Sequence, residues 1–337
     1  LSEEKFQMGR NFANKIWNAS RFILINLDVK GTDVKGQSPS LDCARDSLRS
    51  SGTVTCEELN LINRWILSRF YSVLKELNKD LDNYKFNEAA NLLYGFFWHE
   101  FCDWYLELAK PILVNRVQST EYRNTQIVMY KVLEKFLRLM HPFMPFITEE
   151  IWQRLPHQGD SIMGQPWPHL QSQMIDKNIE SRMGMVLEII TSIRNTRQQL
   201  DIPAQRELSA IISTHNASRR KLMDSMSLHI KNLSHLNSLE IKAKYASIKS
   251  SITTVIKDTH ISIPLEGVAD LDKERQKIKE RIEKIGLEIK KKENALSNKE
   301  FLKKAPQDVI EKERARLKES KDTIQRLKAI RYGTENL

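Results

Sequence analysis

The sequence predicts a mostly α-helical protein in three parts: a helix bundle, a small α/β domain and a C-terminal antiparallel coiled-coil hairpin. Three observations carry this. Four long segments before residue 156 space their apolar residues by three and four. Between Arg206 and Pro264 the pattern shifts toward strand-like runs around short turns. After Val268, two heptad seams lie on either side of a short break. The expected boundaries are 1–155, 156–265 and 266–337, and 337 residues suffice for two or three domains that each bury a core.

The bundle helices are expected at Phe6 to Leu27, Leu59 to Leu81, Lys85 to Val114 and Arg123 to Leu155. Between the first two, Asp28 to Glu57 is polar, holds Gly31, Gly36, Pro39 and Gly52, and shows no period, so it reads as a surface loop or insertion. The fourth helix is interrupted at His141-Pro142-Phe143-Met144-Pro145, because each proline removes a backbone donor and crowds the preceding turn. In the second part, Asp176 to Leu200 is an amphipathic helix, Arg206 to Thr214 is strand-like and Ser218 to Leu233 is helical. Strands follow at Leu239 to Ala243 and within Ile252 to Pro264. Arg194 and Arg197, with Asn195 and Gln198, form a polar edge on the first of these helices. It suits either plain solvation or phosphate contact, with solvation favoured.

The third part keeps a seam at Leu271, Ile278, Ile282, Ile285, Ile289 and Leu296, loses it over Ser297 to Gln307, and resumes it at Ile310, Leu317, Ile324 and Leu327. A first helix of about 28 residues reaches roughly 40 Å at 1.5 Å per residue, which makes an arm rather than a lobe. From Val268 to Leu337 there are 20 Lys and Arg against 14 Asp and Glu, with cations gathered at Lys290, Lys291 and Lys292 and at Lys299, Lys303 and Lys304. These side chains suit a polyanion or plain solvation equally.

Charge points the same way over the whole chain: 53 Lys and Arg oppose 43 Asp and Glu, and the pI is near 9.3. A nucleic acid is the polyanion expected; an anionic membrane surface also fits, although no uninterrupted apolar run approaches the roughly 18 residues needed to span a bilayer. No signal peptide is visible after Leu1, and a start on Leu suggests a piece of something longer. Cys43, Cys56 and Cys102 lack the number and spacing of a disulfide framework or zinc site, so a reducing, cytoplasmic setting is expected. His99, Cys102 and Asp103 share a helical face but sit within an aromatic run, and no fourth ligand accompanies them. No phosphate loop, H-E-x-x-H or nucleophile elbow occurs, so neither catalytic residues nor a metal are expected in this chain.

The most informative stretch is Gly9 to Leu24. On a helical wheel Phe12, Ala13, Ile16, Trp17, Ala19, Ser20, Ile23 and Leu24 form a packing stripe. Arg10, Asn11, Asn14, Lys15, Asn18 and Arg21 fill the other side, with Phe22 alone among them. An aromatic ring amid amides and cations suits an unpaired RNA base, which the ring stacks upon while the cations neutralise phosphate. A solvated helix face with one exposed ring fits the same residues.

The segments GRNFANKIWNASRF (Gly9 to Phe22), RWILSR (Arg64 to Arg69), FCDWYLELAKP (Phe101 to Pro111), HPFMPFITEEIW (His141 to Trp152), SIM (Ser161 to Met163) with Trp167-Pro168, IRNTR (Ile193 to Arg197), LEGVADL (Leu265 to Leu271) and FLKKAPQDVIEKER (Phe301 to Arg314) resemble the C-terminal part of the valyl-tRNA synthetase family. The last two are the more specific, since several of the others are shared with isoleucyl and leucyl relatives. The resemblance implies an anticodon-binding bundle, a small connecting domain and an arm against the outer corner of tRNA(Val). It implies a class I enzyme that attaches valine to tRNA using ATP and Mg²⁺, with its HIGH, KMSKS and editing residues upstream of Leu1. The fragment alone is then expected to be inactive, without its own cofactor, monomeric and without an obligate protein partner. Position by position, Lys15 and Phe22 match anticodon positions, with Arg10, Asn11, Asn14, Asn18 and Arg21 on the same face; the arm lysines are the weaker match. Residues 28–57 follow no family pattern. The alternatives are the corresponding part of an isoleucyl enzyme and a basic coiled-coil adaptor that binds proteins.

Overall fold

The computed structural model describes residues 3–27, 58–114, 119–200, 202, 203, 205–248, 251–264 and 271–297, together with 314, 317, 320, 321 and 324. The expected loop at 28–57, and Lys299, Lys303 and Lys304, lie outside the described residues. The chain forms two units, Leu1–Gly184 and Met185–Leu337, so 156–184, which the sequence groups with the α/β part, falls in the first.

The first unit is helical. Its elements are α1 (Glu3–Asn26), α2 (Leu61–Asp82), α3 (Phe86–Gly95), a π-helix (Phe96–Tyr105), α4 (Leu106–Val114), α5 (Thr120–Met140) and α6 (Pro145–Trp152). Polar caps set two starts: the Asn60 side chain accepts from the Asn63 amide, and that of Ser119 from the Tyr122 amide. The single α-helix expected from Lys85 to Val114 is instead a continuous rod whose middle ten residues are wound wider. Phe96, Phe97, Phe101, Cys102 and Tyr105 are buried there, at spacings of four and five that a wider turn keeps on one face. Phe97 stacks on Phe136 of α5 at 4.2 Å between centroids, and the Tyr105 hydroxyl donates to Asn63 Oδ1 at 2.7 Å. The break at the two prolines occurs as the sequence predicts: α5 ends at Met140, and α6 begins on Pro145, where a missing donor costs nothing.

Helix α7 (Lys177–Gln199) starts in the first unit and continues into the second. The Asp176 carboxylate opens it, accepting from the Asn178 and Ile179 amides at 3.0 and 3.1 Å.

The second unit holds a four-stranded mixed sheet in the order β2-β1-β4-β3. Strand β1 (Leu208–Ser213) runs parallel to β2 (Leu236–Lys242), with α8 (Ala217–Ser225) and α9 (Ser227–Ser234) in the crossover. The helix expected over 218–233 is therefore two, parted at Met226. Strands β3 (Ser251–Ile256) and β4 (Thr259–Pro264) form a hairpin, and β4 pairs antiparallel with β1, Ile212 facing Ile261. Arg197 is not the solvated edge expected. It is buried and donates to the backbone carbonyls of His235, Pro203 and Arg206 at 3.1, 2.7 and 2.6 Å, while Arg194 donates to that of Leu233 at 2.7 Å. Arg197 thus fastens α7 to the loops that lead into β1 and β2, and Arg194 fastens it to the end of α9.

Helix α10 (Leu271–Ser297) carries the first seam. Its Ile282 packs with Ile202 against buried Leu200 and Ile252. Ile285, Ile289 and Leu296 are half-buried. A Cβ at Gly286 would meet Ile324 Cδ1 at 3.9 Å, and Lys321 Nζ lies 2.6 Å from Glu293 Oε1.

Candidate nucleic-acid interface

Helix α1 buries Phe12, Ile16, Ala19, Ser20 and Ile23, an arc that follows from their three- and four-residue spacing. Its opposite arc is open within this unit: Arg10, Asn11, Asn14, Asn18 and Arg21 are all exposed. These five supply two guanidinium groups and three carboxamides, a set that matches phosphates and base edges.

Lys15 and Phe22 differ from the free, exposed groups that the wheel predicts. Lys15 Nζ lies 2.7 Å from Asp103 Oδ1 and 5.2 Å from the centre of the Trp98 ring. Phe22 is half-buried, with Lys110 Nζ 6.0 Å from its ring centre. Lys110 in turn pairs with Glu107 at 2.6 Å. The π-helix and α4 thus border one edge of the open arc, and hold a cation beside each ring.

The other edge is formed by α6 and the turn that follows it. Trp17, expected in the packing stripe, is 36% exposed, and the Arg154 guanidinium stands 5.0 Å from its ring centre. Between these side chains lies a recess of about 240 Å³, lined by Trp17, Ser20, Arg21, Leu24, Ile151 and Arg154. Nothing in the sequence pattern pointed to Arg154, which reaches α1 only because the proline break redirects the chain.

Elsewhere in this unit the bundle is fastened by charge. Arg69 grips Glu100 with two bonds of 2.6 and 2.8 Å and reaches Glu180 at 3.2 Å. Glu180 also accepts from Ser68, Ser72 and Lys177 at 2.6, 2.8 and 2.8 Å. Burial on its own would raise the Glu180 pKa, but these hydrogen bonds and the Arg69 charge pull it down to about 2. The Cys102 thiol goes the other way: burial, opposed in part by Lys15, pushes it up to about 12, which leaves no reactive thiolate near neutral pH. His99 Nδ1 lies 3.4 Å from Asp103. No group of three or more His, Cys, Asp or Glu suited to a metal ion occurs among the described residues.

Two family descriptions match this chain. "Anticodon-binding domain of tRNA ligase" matches residues 63–212, and "Valyl tRNA synthetase tRNA binding arm" matches residues 270–331. The chain is similar to a valine–tRNA ligase of Syntrophotalea carbinolica, 36% identical over 342 residues that cover 100% of this chain and 35% of that protein. Its identity to the Thermotoga maritima valine–tRNA ligase is 35% over 332 residues, 98% of this chain and 35% of the relative. For that of Geobacter sulfurreducens it is 38% over 323 residues, 95% and 34%. The chain spans about a third of the length of the curated relatives it matches. Along that third, and from one end of its own sequence to the other, it belongs to the valyl-tRNA synthetase family.

Proposed function

We propose that this chain is the tRNA-recognition portion of a valine–tRNA ligase, with the open arc of α1 at the anticodon and the C-terminal helices as an arm against the outer corner of tRNA(Val). The observation that carries this reading is the uncovered row Arg10, Asn11, Asn14, Asn18 and Arg21, bordered by Lys15 and Phe22. Donors along one helix, with an aromatic ring at their edge, suit splayed single-stranded bases: the cations bind phosphate, and the ring and amides discriminate. Two pairings support the arm reading. From Gly286 to Glu293 the position on α10 rises while that of the partner falls from Ile324 to Lys321, the sense of an antiparallel pair. Lys290, exposed near the end of α10, and the neighbouring Lys291 and Lys292 are the arm residues proposed for tRNA contact.

The attachment of valine with ATP and Mg²⁺ belongs, in this proposal, to the two thirds of the relatives that the chain does not span. The residues here do not fit that chemistry. They include no glycine-rich phosphate loop, and the described ones gather no metal-binding carboxylate cluster, so no catalytic step is derived through them. The setting proposed is cytoplasmic and the state monomeric. No helix among the described residues is long and apolar enough to cross a membrane.

Titrating the chain by gel shift against tRNA(Val), tRNA(Ile) and a tRNA(Val) with a swapped anticodon, at one salt concentration, tests the proposal. Preference for tRNA(Val) that is lost on the swap is the expected result. Equal affinity for all three leaves only phosphate electrostatics and overturns it.

A further inference from the structure

We propose that the recess between α1 and α6 is a second base pocket, separate from the Phe22 edge, that takes one unpaired nucleobase of a single-stranded RNA loop. The inference rests on the reading of α1 as an RNA interface. Three observations on the far edge of that interface lead to it.

The first is size and wall chemistry. A recess of about 240 Å³ is lined by Trp17, Leu24 and Ile151 as apolar wall, with Arg21 and Arg154 as cations. It is smaller than the roughly 300–1,000 Å³ of pockets for drug-sized ligands, so it suits one heterocycle. The second is the planar pair. Trp17 keeps 36% of its surface exposed, and its ring lies 5.0 Å from the Arg154 guanidinium. Indole and guanidinium planes are both surfaces on which bases stack. The third is Ser20. It lines the recess, is only 1% exposed, and its hydroxyl has no hydrogen-bond partner. A buried hydroxyl without a partner is a cost that folding normally removes. Rotation about one bond swings a serine hydroxyl between staggered wells, so the edge of a base in the recess offers the partner that the protein does not.

The chemistry divides the roles. Trp17 stacks on the base, Ser20 reads an edge, and Arg21 and Arg154 take the flanking phosphates. Exposed Asn14 and Asn18 lie on the arc between this pocket and Phe22, so successive unpaired nucleotides run across the helix and anchor at both edges.

The test uses the 337-residue chain and an RNA stem-loop carrying the valine anticodon loop, with 2-aminopurine placed at one unpaired position at a time. Quenching at one loop position by the wild type, abolished in Trp17→Leu, is expected. Ser20→Ala is expected to bind the stem-loop about three- to tenfold more weakly, as the loss of one hydrogen bond implies. It should do so with a melting temperature equal to or above that of the wild type, because the substitution removes an unpartnered group. If Phe22→Ala weakens binding while Trp17→Leu and Ser20→Ala bind and quench like the wild type, the pocket is overturned and the α1 interface stands. If the wild type prefers neither the stem-loop over a scrambled loop nor the loop over a duplex, the α1 reading fails, and the pocket with it.

Discussion

Lys15 of α1 and Asp103 of the π-helix, 88 residues apart in sequence, meet at 2.7 Å between Nζ and Oδ1. Both are about a third exposed, at 31% and 39%. At that exposure the pair contributes little to stability, typically ~0–1 kcal/mol. Its consequence is positional: it anchors a cation at the edge of the donor-rich arc and sets how much of its charge faces outward. Asp103→Asn should leave the melting temperature nearly unchanged and free that charge. The expected readout is a steeper salt dependence of RNA binding, with the slope of log K against log salt changing by about 0.7 to 0.9 for one added phosphate interaction. An unchanged slope would show that Lys15 reaches no phosphate.

Phe22 is half-buried, so its replacement affects both fold and binding. Phe22→Ala should weaken tRNA(Val) binding by roughly tenfold or more, as base stacking is worth about 1 to 3 kcal/mol. Phe22→Tyr should restore most of the loss. Separate melting curves for each variant isolate binding from stability, and equal affinities in all three proteins would remove Phe22 from the interface.

Glu180 sets an acid limit on the bundle. Its folded pKa is held down to about 2, below the ordinary 4.5 of a glutamate. A depressed carboxylate contributes stability above its unfolded pKa and loses it as the pH falls toward the folded value. Glu180→Gln should therefore lower the melting temperature at pH 7, and the gap from the wild type should close between about pH 4.5 and pH 2. Melting curves across that range check it; a gap that persists at pH 2 would mean that shape, not charge, is what Gln fails to supply.

On the arm, reversing Lys290, Lys291 and Lys292 together to Glu should weaken tRNA binding and flatten its salt dependence while leaving anticodon preference intact. The salt slope should fall by about 0.7 to 0.9 for every phosphate that one of these lysines neutralises. A gel-shift series at several salt concentrations with cognate and swapped anticodons separates the two effects. A shift in anticodon preference would count against a purely electrostatic arm.

Much of the helical architecture was legible in the sequence, because its cause is periodic. The spacing of Phe12, Ile16, Ala19 and Ile23 already dictates which side of α1 is buried. Two prolines end α5 wherever the chain goes next, and the terminal segments carry enough motif for the family. The sequence did not disclose the wider winding over Phe96–Tyr105. The run FFWHEFCDWY is apolar at most of its positions, so its order alone also suits an ordinary α-helix; in the fold Phe70 and Phe136 meet the Phe96 and Phe97 rings that the wider turn keeps on one face.

The arc of candidate RNA-binding residues on α1 was likewise local knowledge, whereas its borders were not. A helical wheel shows what one helix presents and is blind to what other helices bring beside it. Asp103 neutralising Lys15, Arg154 standing over Trp17, and Arg197 sunk among three backbone carbonyls each join residues through chain reversals. The amino-acid order by itself determined where the long helical segments run, most of the inward face of α1 and the kinship of the chain. Tertiary structure alone decided which charges stay free and where a recess opens, because those depend on distances between elements that no periodicity encodes.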